Sequence, residues 1–478
     1  MSGFAKSGSS AAGSLVAAPK TLRYERDGGL PVAIEAKSNR RTYVPANGSD
    51  FRPGQTIRIT LNSQSFLDFS HSYLQFKFTN DSAGARTLGL DMGCPFFSRL
   101  QIMSGGQELE DIGEYSRLYS ILESVQGSRL NADEHSLTEH EVFAPNAAAV
   151  TNAMVTDATA DGAGVSAQIN AAVDGANPYT HAAVGSVANG ASRVFNVPLV
   201  SAIFNIEKYF PLLLTQQGID VYLTLNPAIA IGHWSGAPTQ YKISDVKYVA
   251  HEVHLDDNFT NQMKMSIQST GGVLSLASTT YRHYLANQTG ANPVTATHNI
   301  STQVKSLKGL IVRPQNNALN NDENYFPVSS GQSMAIKEIQ FKVGSIQFPQ
   351  EAIQFNADNP GEMFNEIRKC FGTIGSYNHG TTLNAATFKR MANDDPHKVP
   401  SAGNVRQLWL AAYDFETFAK SATESGLNTS DRALPVSFTV KTENIHNDIS
   451  ALNVRYDIYA MVDCIIYIDL MGKMSTRI

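Results

Sequence analysis

Residues 98–111 read SRLQIMSGGQELED, and residues 337–350 read KEIQFKVGSIQFPQ. In each stretch two alternating apolar runs meet at a glycine, Gly105 in the first and Gly344 in the second, which is the pattern of a β-hairpin with one buried face. Each hairpin precedes a segment of helical spacing. After the first comes IGEYSRLYSILESV at 112–125, where Ile112, Tyr115, Leu118, Tyr119 and Leu122 recur every three or four residues; after the second comes MFNEIRKCF at 363–371.

Working outward, further strands flank both hairpins in the same order. TIRITLN at 56–62 and SYLQFKFTN at 72–80 alternate ahead of the first hairpin, with FRPGQ at 51–55 as a turn. RVFNVPL at 193–199, GIDVYLTLN at 218–226 and YKISDVKYVAHEVHL at 241–255 follow it. Beyond the second hairpin, RQLWLAAYDF at 406–415, ALPVSFTVK at 433–441 and NVRYDIYAMVDCIIYI at 453–468 take the same places. Val221/Val436, Leu223/Phe438, Thr224/Thr439 and Leu225/Val440 align. Gly105 and Gly344 are 239 residues apart and Val221 and Val436 are 215 apart, a difference of 24. That offset falls in the interval holding 146–192, a stretch of Ala, Asn, Gly, Thr, Ser and Val with three Asp and no Lys, Arg, Glu or Leu. Such a composition builds little core, so 146–192 is expected to be a long surface loop inserted in a duplicated scaffold. The chain is expected to be all-β, two antiparallel sandwiches with short helices. Two unrelated β domains sharing generic alternation are the alternative.

With 478 residues, 42% hydrophobic and 17% charged, the chain has ample material for two cores. A net charge of -6 argues against a whole-molecule nucleic-acid binder. Residues 1–41 are different: Lys6, Lys20, Arg23, Arg26, Lys37, Arg40 and Arg41 against Glu25, Asp27 and Glu35 give +4, leaving -10 on the body. A flexible basic arm of this kind suits an acidic neighbour, an anionic membrane or nucleic acid; a solvated tail is the alternative. The domains expected are thus the arm at 1–41, a first unit at 42–257 and a second at 258–478. Cys94, Cys370 and Cys464 form no paired spacing, so a reducing compartment without disulfides or zinc is expected. No signal peptide or membrane span is read, and Asn47-Gly48-Ser49 is therefore not taken as a glycosylation site.

A search for chemistry finds little. Phosphate-loop, dinucleotide and HExxH motifs are missing. GHWSG at 232–236 puts Trp234 where a nucleophile elbow needs serine. His251 and His254 in HEVH point to opposite faces of a strand and share no metal. His135 and His140, among Glu134, Glu139 and Glu141, lie about 140° out of phase if helical, and a solvated acidic loop is favoured over a metal site. Asp161 and Asp174 lack the ligand spacing of a calcium loop. Tyr73, Phe76 and Phe78 alternate as core and, with Lys77 alone nearby, make no base-stacking platform. No catalytic, cofactor-binding or metal residues are assigned; neither enzyme activity, cofactor nor small-molecule substrate is expected.

RTYVPANGSDFRPGQTIRITLNSQSFLDFSHSYLQFKF at 41–78, the hairpin with its helix, and FAKSATESGLNTSDRALPVSFTV at 418–440 resemble the double jelly-roll major capsid proteins of tailless icosahedral dsDNA viruses, of the polinton-like virus and virophage type. The resemblance runs from about residue 40 to the end. It implies two consecutive antiparallel eight-stranded jelly rolls and a homotrimer of pseudo-hexameric outline that tiles an icosahedral shell. It also implies neighbouring capsomers and vertex (penton) or minor capsid proteins as partners, and assembly in the host cytoplasm or nucleus into a virion. The chain is short for that family, which implies modest outer towers. A carbohydrate-binding, lectin-like β-sandwich would instead need clustered exposed aromatics or a calcium loop. A cupin-type enzyme would need His and Glu ligands projecting into one barrel.

Overall fold

The computed structural model describes residues 36–126 and 186–478, apart from 83–87, 92–93, 188, 207, 235–239, 270, 318–319, 321–325, 356–360, 373, 375–380, 382, 384–387, 389–407, 418–424, 432–434 and 444–450. In the first half the strands are β1 (Ala36–Tyr43), β2 (Asp50–Phe51), β3 (Thr56–Leu61), β4 (Phe66–Asn80), β5 (Leu88–Leu90), β6 (Phe97–Ser104), β7 (Gln107–Gly113), β8 (Ser186–Val187), β9 (Ser192–Val197), β10 (Phe210–Pro211), β11 (Ile219–Leu225), β12 (Gly232–Trp234) and β13 (Tyr241–Leu255). Helix α1 (Tyr115–Gln126) follows β7 and α2 (Asp257–Ser269) follows β13. The second half has β14 (Val273–Ala291), β15 (Thr295–Ile300), β16 (Leu307–Asn316), β17 (Ile336–Val343), β18 (Ile346–Gln354), β19 (Ala411–Asp414), β20 (Val436–Thr442), β21 (Ala451–Asp469) and β22 (Met474–Arg477), with α3 (Gly361–Cys370) after β18.

The two halves repeat one strand order. One sheet of the first half runs β1-β13-β4 with β9 and β10 along β4, and its counterpart in the second runs β14-β21-β16-β19. The facing sheets run β3-β11-β6-β7 and β15-β20-β17-β18. Every pairing between these strands is antiparallel. Eight of the strands in each half, β1, β13, β4 and β9 against β3, β11, β6 and β7 in the first and β14, β21, β16 and β19 against β15, β20, β17 and β18 in the second, make each half a jelly roll.

Alternation in the sequence dictates this. In β3 and β11 every second side chain is buried, Ile57, Ile59 and Leu61 on one and Ile219, Val221, Leu223 and Leu225 on the other. Between the first pair of sheets Phe76 packs edge-on against Phe96 and Phe97 at 5.3 and 5.6 Å and stacks on Phe195 at 5.4 Å. In the second, Phe438 meets Tyr456 at 5.6 Å and Phe341 stacks on Tyr413 at 5.7 Å. Each such ring buried contributes about 1.5–3 kcal/mol. The hairpins turn at the glycines for a backbone reason: Gly105 and Gly106 both have positive φ, as a type I′ turn requires, and Gly344 alone does so in the first position of a II′ turn.

Four features depart from the sequence reading or extend it. Residues 36–41, read as the end of a flexible arm, are strand: β1 pairs with β13 from Ala36↔Leu255 to Tyr43↔Tyr248. Its residues AKSNRRT are all exposed, so no alternation betrayed it. Residues 1–35 lie outside the described residues. The connection between the halves contains α2, whose polar sequence DNFTNQMKMSIQS showed no apolar stripe. Of the 146–192 stretch, 186–187 belong to β8, which joins β5 and β12 in a three-stranded cap, and Ser192 opens β9. Residues 146–185 lie outside the described residues.

Strand direction gives the molecule two distinct ends. β13 runs from Tyr241, beside the cap, to Leu255, where β1 begins. At that second end, the base, lie the turns Ser104–Gln107, 212–218 and 469–474, and Gln216 N–H donates to Gly472 O at 3.1 Å across the two rolls.

Candidate functional site

The densest polar chemistry lies in the seam between the two rolls. It begins with α1, which forms because Tyr115, Leu118, Tyr119 and Leu122 share a face toward the first core. The chain turns out of β7 at Glu114, held at φ 48°, so that the helix starts immediately and its other face meets the second roll. That face carries the buried Arg117, and further along it Ser124 O accepts from the Thr381 hydroxyl of the second half at 2.9 Å, while Ser116 turns back to accept from Asn226 of the first roll at 2.9 Å.

Arg117 is the centre. Its guanidinium donates to Asp457 Oδ2 on β21 at 3.0 Å, to Asn320 Oδ1 at 3.0 Å, to Glu114 Oε2 at 3.1 Å, and to Gln315 Oε1 on β16. Asp457, wholly buried, also faces His283 Nε2 on β14 at 3.0 Å and accepts from Arg455 at 2.9 Å. Arg455 reaches back to Glu114 at 2.9 Å, and Tyr459 O–H donates to Glu114 O at 2.9 Å. Burial by itself would raise the Asp457 carboxyl, but Arg117, His283 and Arg455 outweigh it and hold it well below the usual carboxylate range. Burial, with Arg117 nearby, pushes the neighbouring Arg313 guanidinium down to about 10.

Two further clamps flank this network. Toward the cap, Asp91 after β5 accepts the Val328 and Ser329 N–H groups at 2.9 and 3.1 Å and the Ser329 hydroxyl. Toward the base, Glu110 on β7 accepts the Ala202 N–H at 2.9 Å and the Thr280 hydroxyl of β14. Glu110 is fully buried, and burial raises its carboxyl above the ordinary value despite those donors. Thr476 of β22 donates to Leu109 O at 2.9 Å. Where the seam opens at the base, a cleft of about 470 Å³ lies between Gly105, Gly106, Gln216 and Gln217 of the first roll and Met471 and Lys473 of the second.

Chemically this arrangement fixes position. A desolvated charge cluster with matched hydrogen bonds tolerates one geometry, so the rolls are held at one relative orientation.

The residues weighed in the sequence fall elsewhere. His251 and His254 lie apart, His251 against the His71 ring at 5.7 Å and His254 near Glu252 at 3.7 Å. Trp234 is buried and donates its Nε1–H to Ala228 O at 2.8 Å, a packing role. Phe76 and Phe78 are core, but Tyr73, read with them, sits at an odd position of β4 on the outer face, half-exposed and accepting from Arg40 at 2.9 Å. Cys94 and Cys464 are buried, Cys370 half-buried, and all are unpaired by disulfide. Glu134, His135, Glu139, His140, Glu141, Asp161 and Asp174 lie outside the described residues. Among the described residues no three His, Cys, Asp or Glu gather as for a metal ion, and no helix is long and apolar enough to cross a membrane. Also among them, Tyr209 is the one aromatic among the large exposed apolar side chains. Sequence reasoning missed Arg117, Asp457, His283, Asp91 and Glu110. A signal existed for Asp457, a charge set within the apolar run of NVRYDIYAMVDCIIYI.

Fold and seam together define the chain as a double jelly roll. The mavirus major capsid protein superposes with a TM-score of 0.52 and 10% identity, covering 97% of this chain and 95% of that one. A chain of the Sputnik virophage solved by cryo-EM gives 0.55 and 13%, covering 97% and 93%, and the Faustovirus major capsid protein gives 0.51 and 10%, covering 94% and 93%. No family model and no curated protein matches the sequence.

Proposed function

We propose that this chain is the major capsid protein of an icosahedral virus, a structural subunit without enzymatic activity, cofactor or small-molecule substrate. Three copies form a pseudo-hexameric block, and blocks tile the shell of the virion. The observation that carries this reading is the duplication itself: two rolls of one strand order, locked by a buried seam, let three chains present six similar walls. Fixed geometry is then the function, and the double jelly-roll capsid proteins that superpose on the chain support it.

In this reading the units are the arm, a first roll read at 42–257 and carried back to residue 36 by β1, with its insertion within 146–192, and a second roll at 258–478. The base faces inward. Tyr209, Met265, Val273, Ile346, Leu470 and Met471 are exposed there, beside the point where the N-terminal arm enters β1, a setting suited to an inner membrane, the genome or a minor capsid protein. Neighbouring capsomers and vertex (penton) proteins meet the outer walls, and assembly takes place in the host cytoplasm or nucleus. Sedimentation of the purified chain at micromolar concentration, with electron microscopy of expressing cells, tests the reading. A trimer and shell-like particles are expected; a stable monomer that builds no particles overturns it.

A further inference from the structure

Strand β4 is irregular where it passes β13. Tyr73 stands opposite Val249 and Asp68 opposite His251, so between these pairs the four residues Phe69–Ser72 face Ala250 alone. Such a bulge forgoes ladder hydrogen bonds and re-aims side chains, and bulges gather beside functional positions. This one is pinned from both strands. Asp68 Oδ1 accepts the Ser70 N–H at 3.0 Å and the Ser70 hydroxyl at 2.6 Å, while Ser72 Oγ donates to Asp68 O and accepts the His251 N–H at 3.0 Å. Its outcome is that Ser70 and His71 stand out from the sheet, with the His71 ring centre 5.7 Å from that of His251.

Both rings keep a nitrogen to offer. His71 Nδ1 faces Asp68 Oδ2 at 2.7 Å, which holds the proton on Nδ1 and leaves a lone pair on Nε2; the side chain is 72% exposed. The His251 ring, among the described residues, touches His71 and makes no hydrogen bond. A carboxylate behind an imidazole is the partner that metal-bound histidines carry. A zinc ion about 2.0–2.1 Å from one nitrogen of each ring, at a tetrahedral angle, spaces the ring centres by roughly 5 Å, which a small rotation of the exposed His71 ring supplies. Nearby cations oppose a metal less than their number implies. Arg40, opposite His251 on β1, is turned to the Tyr73 hydroxyl at 2.9 Å, Lys247 lies further up β13 beside Gln75, and Asp68 supplies a negative charge.

We propose that His71 and His251, with Asp68 behind His71, bind one divalent transition ion of the zinc class, water filling the remaining positions. The site is independent of the capsid reading, because every group in it comes from one sheet of the first roll.

Equilibrium dialysis of the full chain against micromolar zinc at neutral pH, with the bound metal counted, tests this. The set is the wild type, His71→Ala, His251→Ala, the double variant, Asp68→Asn, and His254→Ala as a histidine away from the pair. The wild type is expected to hold one zinc per chain more than either single variant, and the double variant to lose no more than the singles. His254→Ala should match the wild type, and Asp68→Asn should weaken the site about 10–100-fold. Zinc should also raise the Tm of the wild type and leave that of His71→Ala unmoved, with both unfolding alike in its absence. Equal zinc on the wild type and either single variant, or an equal loss from His254→Ala, overturns the shared site. Wild-type affinity in Asp68→Asn overturns the role given to that carboxylate.

Discussion

Asp457→Leu tests whether the seam holds the rolls as described. The carboxylate is wholly buried and shared by Arg117, Arg455 and His283, so its removal leaves the two arginines with Glu114 as their one carboxylate and takes from His283 its acidic partner. An exposed ion pair would contribute about 0–1 kcal/mol. Removing one partner of a buried pair costs about 3–5 kcal/mol, because the other partner stays desolvated without its counter-charge. Arg117 keeps only 7% of its side chain exposed, so the larger figure applies.

The assay is urea unfolding at neutral pH, chosen over guanidinium because salt screens the effect being measured. The two tryptophans divide the report, Trp234 standing in the first roll and Trp409 in the second. Stability is expected to fall by about 3–5 kcal/mol, with the two signals separating as the rolls uncouple. Arg117→Met added to Asp457→Leu should restore much of the loss, since an apolar replacement of a whole buried pair is often neutral or better. A loss below about 1 kcal/mol, or strictly additive effects of the two substitutions, would refute the reasoning.

Other outcomes follow from the same geometry. Asp457 is depressed in the folded state, so its stabilisation is present above about pH 4 and is lost as pH falls below that; Asp457→Asn should flatten the acid limb of a stability–pH profile. Glu110 is raised, so its contribution runs the other way, favouring the fold below about pH 4 and fading as pH climbs through the raised value; Glu110→Gln should remove that slope, read from the same titration. Phe76→Ala opens the aromatic cluster with Phe96, Phe97 and Phe195 and should cost about 3–5 kcal/mol in thermal or urea unfolding. Gly472→Ala puts a side chain at φ 73° against the backbone of Leu214 and Gln216, and should cost about 1–2 kcal/mol with faster amide exchange at Gln216.

Much of the architecture was legible because jelly-roll strands are half-buried. Alternation in TIRITL, IDVYLTL and VSFTVKT marks the inner face directly, and the hairpin glycines mark the turn. What alternation cannot show is a strand held only by its backbone. β1 is exposed along AKSNRRT and pairs with β13 without burying those side chains, so its last arm residues looked like tail. The seam was illegible for a different reason: burial there is conferred by the other roll, and nothing local in YSRLYSILESVQ says that its serines and Arg117 are enclosed.

That enclosure also explains why the duplication is not symmetric in sequence. Were both rolls given the same helix and the same outer sheet, either helix would fit either sheet. Placing Arg117 on α1 and Asp457 on β21 removes that degeneracy within the chain. The charges cost stability to bury, since an apolar seam of the same volume would hold as well. Their return is register: the intrachain contact forms one way only, so the two rolls always meet in the same orientation.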